Sequence, residues 1–228
     1  MILVLSIEEI FTLALEYGYQ IIRCQDYPKY KQSANNKILV NRVDIDLQCS
    51  GAVRIAEIFN KLGIKGTFFV RLHAKEYNPF SLENYRYLNF IKNSSHEIGL
   101  HSEVMDASKQ WNLSSKNVLI TDIEILNKMF GIKIDGISSH NGLTDSNNLD
   151  FWKDNKASDF GLLYEAYDSQ PGFNLVNESI YITDSEYTQW KCYKNGILDK
   201  IDKRCLCNHL KDGNKIVYTL IHPITYKE

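Results

Sequence analysis

FNKLGIKGTFF (residues 59–69) and LNKMFGIKIDGISS (residues 126–139) follow the same course: an amphipathic segment of helical period, a glycine stop, then a short run of strand character. Gly63 and Gly131 fall where a helix end takes a left-handed residue, which glycine adopts without a Cβ penalty and which turns the chain back toward a parallel strand. That is a βα alternation. Short apolar runs rich in β-branched residues recur at 38–46, 66–70, 96–101, 134–140, 160–165, 179–184 and 216–222, mostly separated by segments of helical period. The helix predicted over 51–62, with Ser50 as N-cap, buries Val53, Ala56, Phe59 and Leu62; the one over 116–130 buries Leu119, Ile123, Leu126 and Phe130. A helix over 6–18 opens on the Ser6-Ile-Glu-Glu9 capping box, presents Ile7, Ile10, Phe11 and Leu15 on one face and stops at Gly18. With seven strand candidates and no glycine-rich phosphate fingerprint after the first, the α/β pattern predicts an incomplete (β/α) barrel of about seven parallel strands rather than a dinucleotide-binding sheet. A single domain is expected over 1–228, with an N-terminal helix and lead-in at 1–37 and the barrel at 38–226; residues 185–215 fit the rhythm least.

The chain has 228 residues, 24% of them charged and 44% hydrophobic, which is a globular composition. A chain of this length buries roughly 70% of its unfolded surface, so its core needs no metal, and any metal must serve chemistry. A formal net charge of -2 removes the electrostatic footprint of a nucleic-acid or anionic-membrane binder. No apolar run approaches the length of a membrane span. Five cysteines, an odd number without C-x2-C pairing, and a start without a cationic leader together predict a reducing, cytoplasmic setting.

In a parallel barrel the reactive groups gather at the C-terminal ends of the strands. Here those ends read Asp44 and Asp46, His101 and Glu103, His140, Glu165, Asp184 and His222: carboxylates and imidazoles from six strands. In Asp44-Ile45-Asp46 the two-residue period of a strand turns both carboxylates to one face, with Arg42, so one acid can bind metal while the other works as base. A solvated strand end fits one such acid better than two. His96-Glu97-Ile98-Gly99-Leu100-His101 is one residue too long for a metalloprotease H-E-x-x-H helix, and glycine is poor inside a helix. As a strand it aligns Glu97, Gly99, His101 and Glu103, with His101 a ligand at the barrel mouth and His96 a structural histidine. His140 precedes the Asn141-Gly142 turn, and its place beside His101 in barrel order makes it a candidate ligand. Pro223 keeps His222 extended, and with Asp184 as carboxylate partner His222 is a credible acid. Cys205-Leu-Cys207-Asn-His209 would put three soft ligands on one strand face, but the spacing fits no common zinc module and reads as coincidence. Trp111, Trp152 and Trp190 are core or cleft walls; Trp190, six residues after Asp184, has the best claim to face a sugar.

Taken in order, the motifs are Arg42-Val43-Asp44-Ile45-Asp46, Thr67-Phe68-Phe69, His96 to His101, Ser138-Ser139-His140-Asn141-Gly142, Glu165-Ala166-Tyr167, Thr183-Asp184 and His222-Pro223. Over roughly residues 38–226 this order resembles the polysaccharide deacetylases of carbohydrate esterase family 4 (NodB-like). It resembles more closely a branch found among surface-polysaccharide biosynthesis loci that reads R-H-D-V-D, T-x-F-F, G-H-E-I-G-x-H, S-x-H-G, E-x-Y, T-D with a following Trp, and H-P. The resemblance implies a distorted (β/α) barrel holding a divalent metal, Zn2+ first, that removes an N- or O-acetyl group from a sugar or glycan precursor. It implies Asp44 as the base, Asp46 and His101 as metal ligands, and His222 as the general acid held by Asp184.

The chain departs from the family where a second ligand histidine is expected four residues after the first: that position is Met105, a thioether with little affinity for a hard or borderline ion. His140 is then the expected third ligand, with Glu103 behind it. Val43 replaces a histidine of the branch pattern, and the Arg-x-Pro expected after the fourth strand is missing, so Arg42 is expected to orient Asp44. Glu103, Glu165 and Trp190 complete the set as substrate contacts. Two other functions share these residues: a metal-dependent amidohydrolase acting on a non-sugar amide, and a catalytically silent barrel that binds glycans or a partner.

Overall fold

The computed structural model describes residues 5–32, 36–185 and 190–226; the apolar opening Met1–Val4 lies outside them. The strands are β1 (Tyr19–Ile22), β2 (Lys37–Ile45), β3 (Thr67–Val70), β4 (Glu97–Ser102), β5 (Gly136–Ser139), β6 (Tyr164–Glu165), β7 (Ile180–Thr183), β8 (Lys191–Lys194), β9 (Ile197–Asp199) and β10 (Ile216–Ile221). The sheet order is β6-β5-β4-β3-β2-β10-β7-β8-β9. Each of the seven predicted runs overlaps one of the seven strands from β6 to β7 in that order, and all neighbours among these are parallel. Strands β6 and β7 end the parallel row without pairing to each other among the described residues, so the barrel is open there. This is the incomplete (β/α) barrel expected from the sequence.

The chain adds two pieces that periodicity did not announce. Strand β1 runs parallel beside the first half of β2, and β8 and β9 form an antiparallel extension outside β7. Both are short and carry little pattern, which is why residues 185–215 broke the rhythm.

The helices are α1 (Ile7–Glu16), α2 (Tyr27–Tyr30), α3 (Cys49–Lys61), α4 (Leu82–Asn93), α5 (Val104–Trp111), α6 (Ser115–Phe130), α7 (Leu175–Glu178) and α8 (Leu206–Lys211). Gly63 (φ +69°) and Gly131 (φ +61°) do take the left-handed turn after α3 and α6. Ser6 and Glu9 close the capping box of α1, but Leu15 is 39% exposed and Ala14 takes the buried position, because Ile7, Ile10, Phe11 and Ala14 are the residues spaced i, i+3, i+4, i+7. Helix α3 starts at Cys49 with Gln48 as its cap, not at Ser50, and its buried stripe is Ala52, Ile55, Ala56 and Phe59, with Val53 and Leu62 only partly buried. Residues 206–211 are helical rather than extended, and the sulfurs of Cys205 and Cys207 are joined in a disulfide, while Cys24, Cys49 and Cys192 are free and buried. Among the described residues no helix is long and apolar enough to cross a membrane.

Strand β2 is buried along almost its whole length, yet it keeps the period of two. Leu39, Val43 and Ile45 pack in the core shared with the outer helices, whereas Ile38 and Val40 belong to the second core cluster, and Arg42 and Asp44 follow them at the same period. The inward row therefore turns from apolar to charged as the strand approaches its C-terminal end. Gly99 and Gly136 make room for inward aromatic rings: a Cβ at Gly99 would stand 2.4 Å from Phe69, and one at Gly136 would stand 2.0 Å from Tyr164.

Lower on the inner row, Glu97 accepts hydrogen bonds from Thr67 Oγ1 (2.6 Å), Tyr164 OH (2.7 Å) and the Gln25 backbone N–H (3.1 Å). Burial pushes its carboxyl up to about 7, against the pull of those donors. The folded state thus holds this proton more tightly than the unfolded chain. Stability from Glu97 is fully present below the ordinary carboxylate value of 4.5 and is lost as pH rises through about 7. Glu97→Gln is expected to remove this dependence. In denaturant titrations at pH 4.5 and pH 8 the wild type should lose about 3 kcal/mol relative to the variant. Parallel pH profiles for the two proteins would show that Glu97 does not carry it.

Candidate active site

The C-terminal ends of β2, β4, β5 and β10 meet in one buried polar cluster. The residue after β2, Asp46, places Oδ1 3.2 Å from His101 Nε2 on β4, and Asp44 Oδ2 lies 3.2 Å from the same nitrogen. On its far side the His101 ring engages the Ser138 carbonyl through Nδ1 (2.9 Å). That contact places a proton on Nδ1 and turns Nε2 toward the two acids, where a cation would displace the second proton, the orientation typical of a metal-ligating histidine. His140, just after β5, stacks edge-on to His101 with centroids 5.1 Å apart. Ligand atoms of Asp46, His101 and His140 all lie within 4.8 Å of one another.

Electrostatics sort these groups. Burial would raise Asp44 and Asp46, but the cationic neighbours outweigh it: Arg42 and His101 for Asp44, His101 and His222 for Asp46, so both carboxyls stay below the usual range. His101 is opposed by burial yet raised by Asp44 and Asp46. His140 is lowered, by burial first and then by His101 and Arg71. Its Nδ1 is buried with no hydrogen-bond partner among the described residues. An orphaned imidazole nitrogen beside a carboxylate and a second imidazole fits a divalent cation.

Arg42 is fully buried and grips Asp44 with two bonds, Nε to Oδ1 at 2.8 Å and Nη2 to Oδ2 at 2.6 Å. Its remaining donors reach Ser138 Oγ, Tyr167 OH (3.1 Å) and Tyr218 OH (3.3 Å), and its guanidinium lies 4.6 Å from the centre of the Tyr167 ring. Across the mouth, the His222 backbone N–H donates to both carboxylate oxygens of Asp184, and its Nδ1 lies 2.6 Å from Asp184 Oδ1. Nε2 then faces Asp46 Oδ2 at 3.5 Å. Burial lowers His222, but Asp184 and the two β2 acids more than compensate and raise it.

The three expected substrate contacts stand in three different surroundings. Glu103 is 2% exposed and bound to Arg71 Nη2 (2.6 Å), so its charge is used within the protein rather than offered to a cleft. Glu165 accepts the backbone N–H groups of Ser139 (3.0 Å) and Tyr167 (2.7 Å), and burial lifts its carboxyl to about 7; it lines a cleft of about 200 Å³ with Trp152, Tyr167 and Asp168. Trp152 and Trp190 both pack partly buried against the main apolar core, and Trp152 also lines this cleft, its indole N–H donating to Ser139 Oγ (2.9 Å). His96 accepts from the Gly66 N–H and packs against Phe59 and Phe68, a structural place.

Arg71 belongs to the site although no motif in the sequence marks it. It donates to the Asp46 carbonyl (2.9 Å) and to Glu103, tying the end of β2 to the end of β4. It directly follows the apolar run of β3, so the same inspection of strand ends would have found it.

No protein-family model matches the sequence, and neither does any curated protein. Among solved structures the chain is similar to a CE4 family pseudoenzyme from Bacillus anthracis (TM-score 0.50, 16% identity, 83% of this chain and 56% of that one). A mutant of that pseudoenzyme with restored enzymatic activity gives a TM-score of 0.50 and 17% identity, over 83% of this chain and 57% of that one. The chitin deacetylase from the fungal pathogen Colletotrichum lindemuthianum gives 0.45 and 15%, over 82% and 74%. The chain spans little more than half the length of the first two structures. At these identities the likeness is one of fold: the chain shares the (β/α) barrel architecture of these CE4 family structures.

Proposed function

We propose that the protein is a metal-dependent hydrolase that removes an acetyl group from a sugar or glycan precursor, with Asp46, His101 and His140 as the metal ligands. The observation that carries this reading is the convergence of those three donors within 4.8 Å, flanked by Asp44 on one side and His222 on the other. Zn2+ is the cation the two imidazoles and one carboxylate favour. When bound, such a cation would polarise the substrate carbonyl and lower the pKa of water from about 15.7 toward roughly 7.

The protein's own groups do the rest. Asp44, fixed by Arg42, takes a proton from the attacking water as its oxygen adds to the acetyl carbon. His222, oriented by Asp184, gives its proton to the leaving nitrogen (or oxygen) as the acyl bond breaks, releasing acetate and the free amine (or alcohol). A role in surface-polysaccharide biosynthesis rests on the motif order alone. A silent glycan-binding barrel is the second reading, favoured by the grip of Arg42 on both oxygens of Asp44.

Elemental analysis of protein purified without chelators, joined to acetate release from a panel of acetylated sugars, tests the proposal. The wild type should carry zinc and free acetate from at least one sugar; Asp46→Ala and His101→Ala should lose the barrel-mouth cation and all activity. Retention of that cation by folded His101→Ala would refute the ligand assignment. Zinc-loaded wild type that releases no acetate from any sugar, with glycan binding intact, would favour the silent barrel.

A further inference from the structure

Away from the barrel mouth, Cys192 on β8, Asp202 after β9 and His209 on α8 bring a thiol, a carboxylate and an imidazole together, with ligand atoms all within 4.8 Å of one another. Cys192 is a free thiol with no exposure. His209 is 1% exposed, and its Nε2 is buried with no hydrogen-bond partner among the described residues. The nearest carboxylate oxygen, Asp202 Oδ1, is 3.6 Å away, beyond hydrogen-bond range. Two ligands each about 2.0 Å from a tetrahedral ion stand roughly 3.3 Å apart, so the same gap is close to the edge of a coordination shell. Leaving a buried imidazole nitrogen unsatisfied is unfavourable, and a shared cation would satisfy it.

We propose that Cys192, Asp202 and His209 form a second divalent-cation site, suited to zinc, that fastens the β8–β9 hairpin to α8. The donor types are those of zinc chemistry, and a thiolate with a carboxylate would balance the two positive charges. On binding, the Cys192 thiol releases its proton to solvent. The location gives the ion a purpose: strands of 4 and 3 residues at a sheet edge hold weakly by themselves. Asp202 is also held by Arg204, with Nε–Oδ1 at 3.1 Å and Nη2–Oδ2 at 2.9 Å, and lies 3.6 Å from Lys194 Nζ. Arg204 has a second partner in Asp212 (2.9 Å) and is substantially exposed, so it competes with the cation for Asp202 and can yield.

Cobalt substitution separates this site from the barrel mouth, because Asp46, His101 and His140 include no thiol. Full-length protein with its disulfide intact, titrated with Co2+ without reductant, should develop the near-ultraviolet absorption of a cobalt–thiolate bond. The band should vanish in Cys192→Ser, weaken at least tenfold in apparent affinity in His209→Gln, and persist in Asp46→Ala. Arg204→Ala should reach it at lower cobalt. Absence of the band in the wild type, or its survival in Cys192→Ser, would overturn the proposal. If Cys192→Ser does not fold, folded His209→Gln with unchanged cobalt affinity overturns it equally. Loss of acetate release in Asp46→Ala with the band intact concerns the barrel-mouth reading alone.

Discussion

His222→Ala is expected to slow acetate release about 10²–10⁴-fold while the cation at the barrel mouth stays bound. The separation follows from the geometry. The ring of His222 is held by Asp184 through Nδ1, and the ligand-bearing groups Asp46, His101 and His140 keep their mutual contacts without it. Its absence removes a proton donor from the step in which the leaving group departs, so kcat should fall with KM little changed. Asp184→Asn should give a smaller loss, because the amide still accepts the His222 backbone N–H but no longer supports a charged ring. Steady-state kinetics and metal content measured on the same preparations check both. A His222→Ala enzyme with wild-type kcat would remove this residue from the chemistry.

Arg42→Met should destabilise the fold by about 3–5 kcal/mol, since it strands the Asp44 carboxylate in a site that is 1% exposed. For a chain of this size that corresponds to a melting temperature lower by roughly 6–20 °C. Arg42→Met combined with Asp44→Asn should be more stable than Arg42→Met alone, because a neutral amide no longer needs the guanidinium. Thermal and chemical denaturation of the three variants measure the coupling. Simple additivity of the two substitutions would mean that the pair does not act as a unit. The exposed pair Lys61–Glu8, at the same 2.6 Å separation, should by contrast be nearly neutral to remove, because both partners are in water.

The barrel was legible because its signals are local. A helix that ends on Gly63 or Gly131 and re-enters an apolar run states its direction within a dozen residues, and the inward placement of Asp44 beside Arg42 follows from the pleat alone. What escaped depended on long-range partners. Nothing in the sequence near Glu103 says that Arg71, 32 positions earlier, takes up its charge, and nothing near Trp152 says that it lines a cleft with Glu165 and Tyr167. The cluster at Cys192 shows the same limit. Its donors come from a strand, a loop and a helix, whereas in Cys205-x-Cys207-x-His209 the two cysteines pair with each other as a disulfide and only His209 joins the cluster.

The lead-in segment also bears on how the protein can be cut. The backbone N–H groups of Cys24 and Gln25 donate to Thr67 and Glu97, and β1 occupies the edge of β2 that β3 leaves bare. These residues act as a stopper in the floor of the barrel. A shortened version designed around the repeating strands alone, starting near residue 37, would drain that floor to solvent and wet the acid it covers. Any trimmed form meant for crystallisation or labelling should therefore begin upstream of Tyr19.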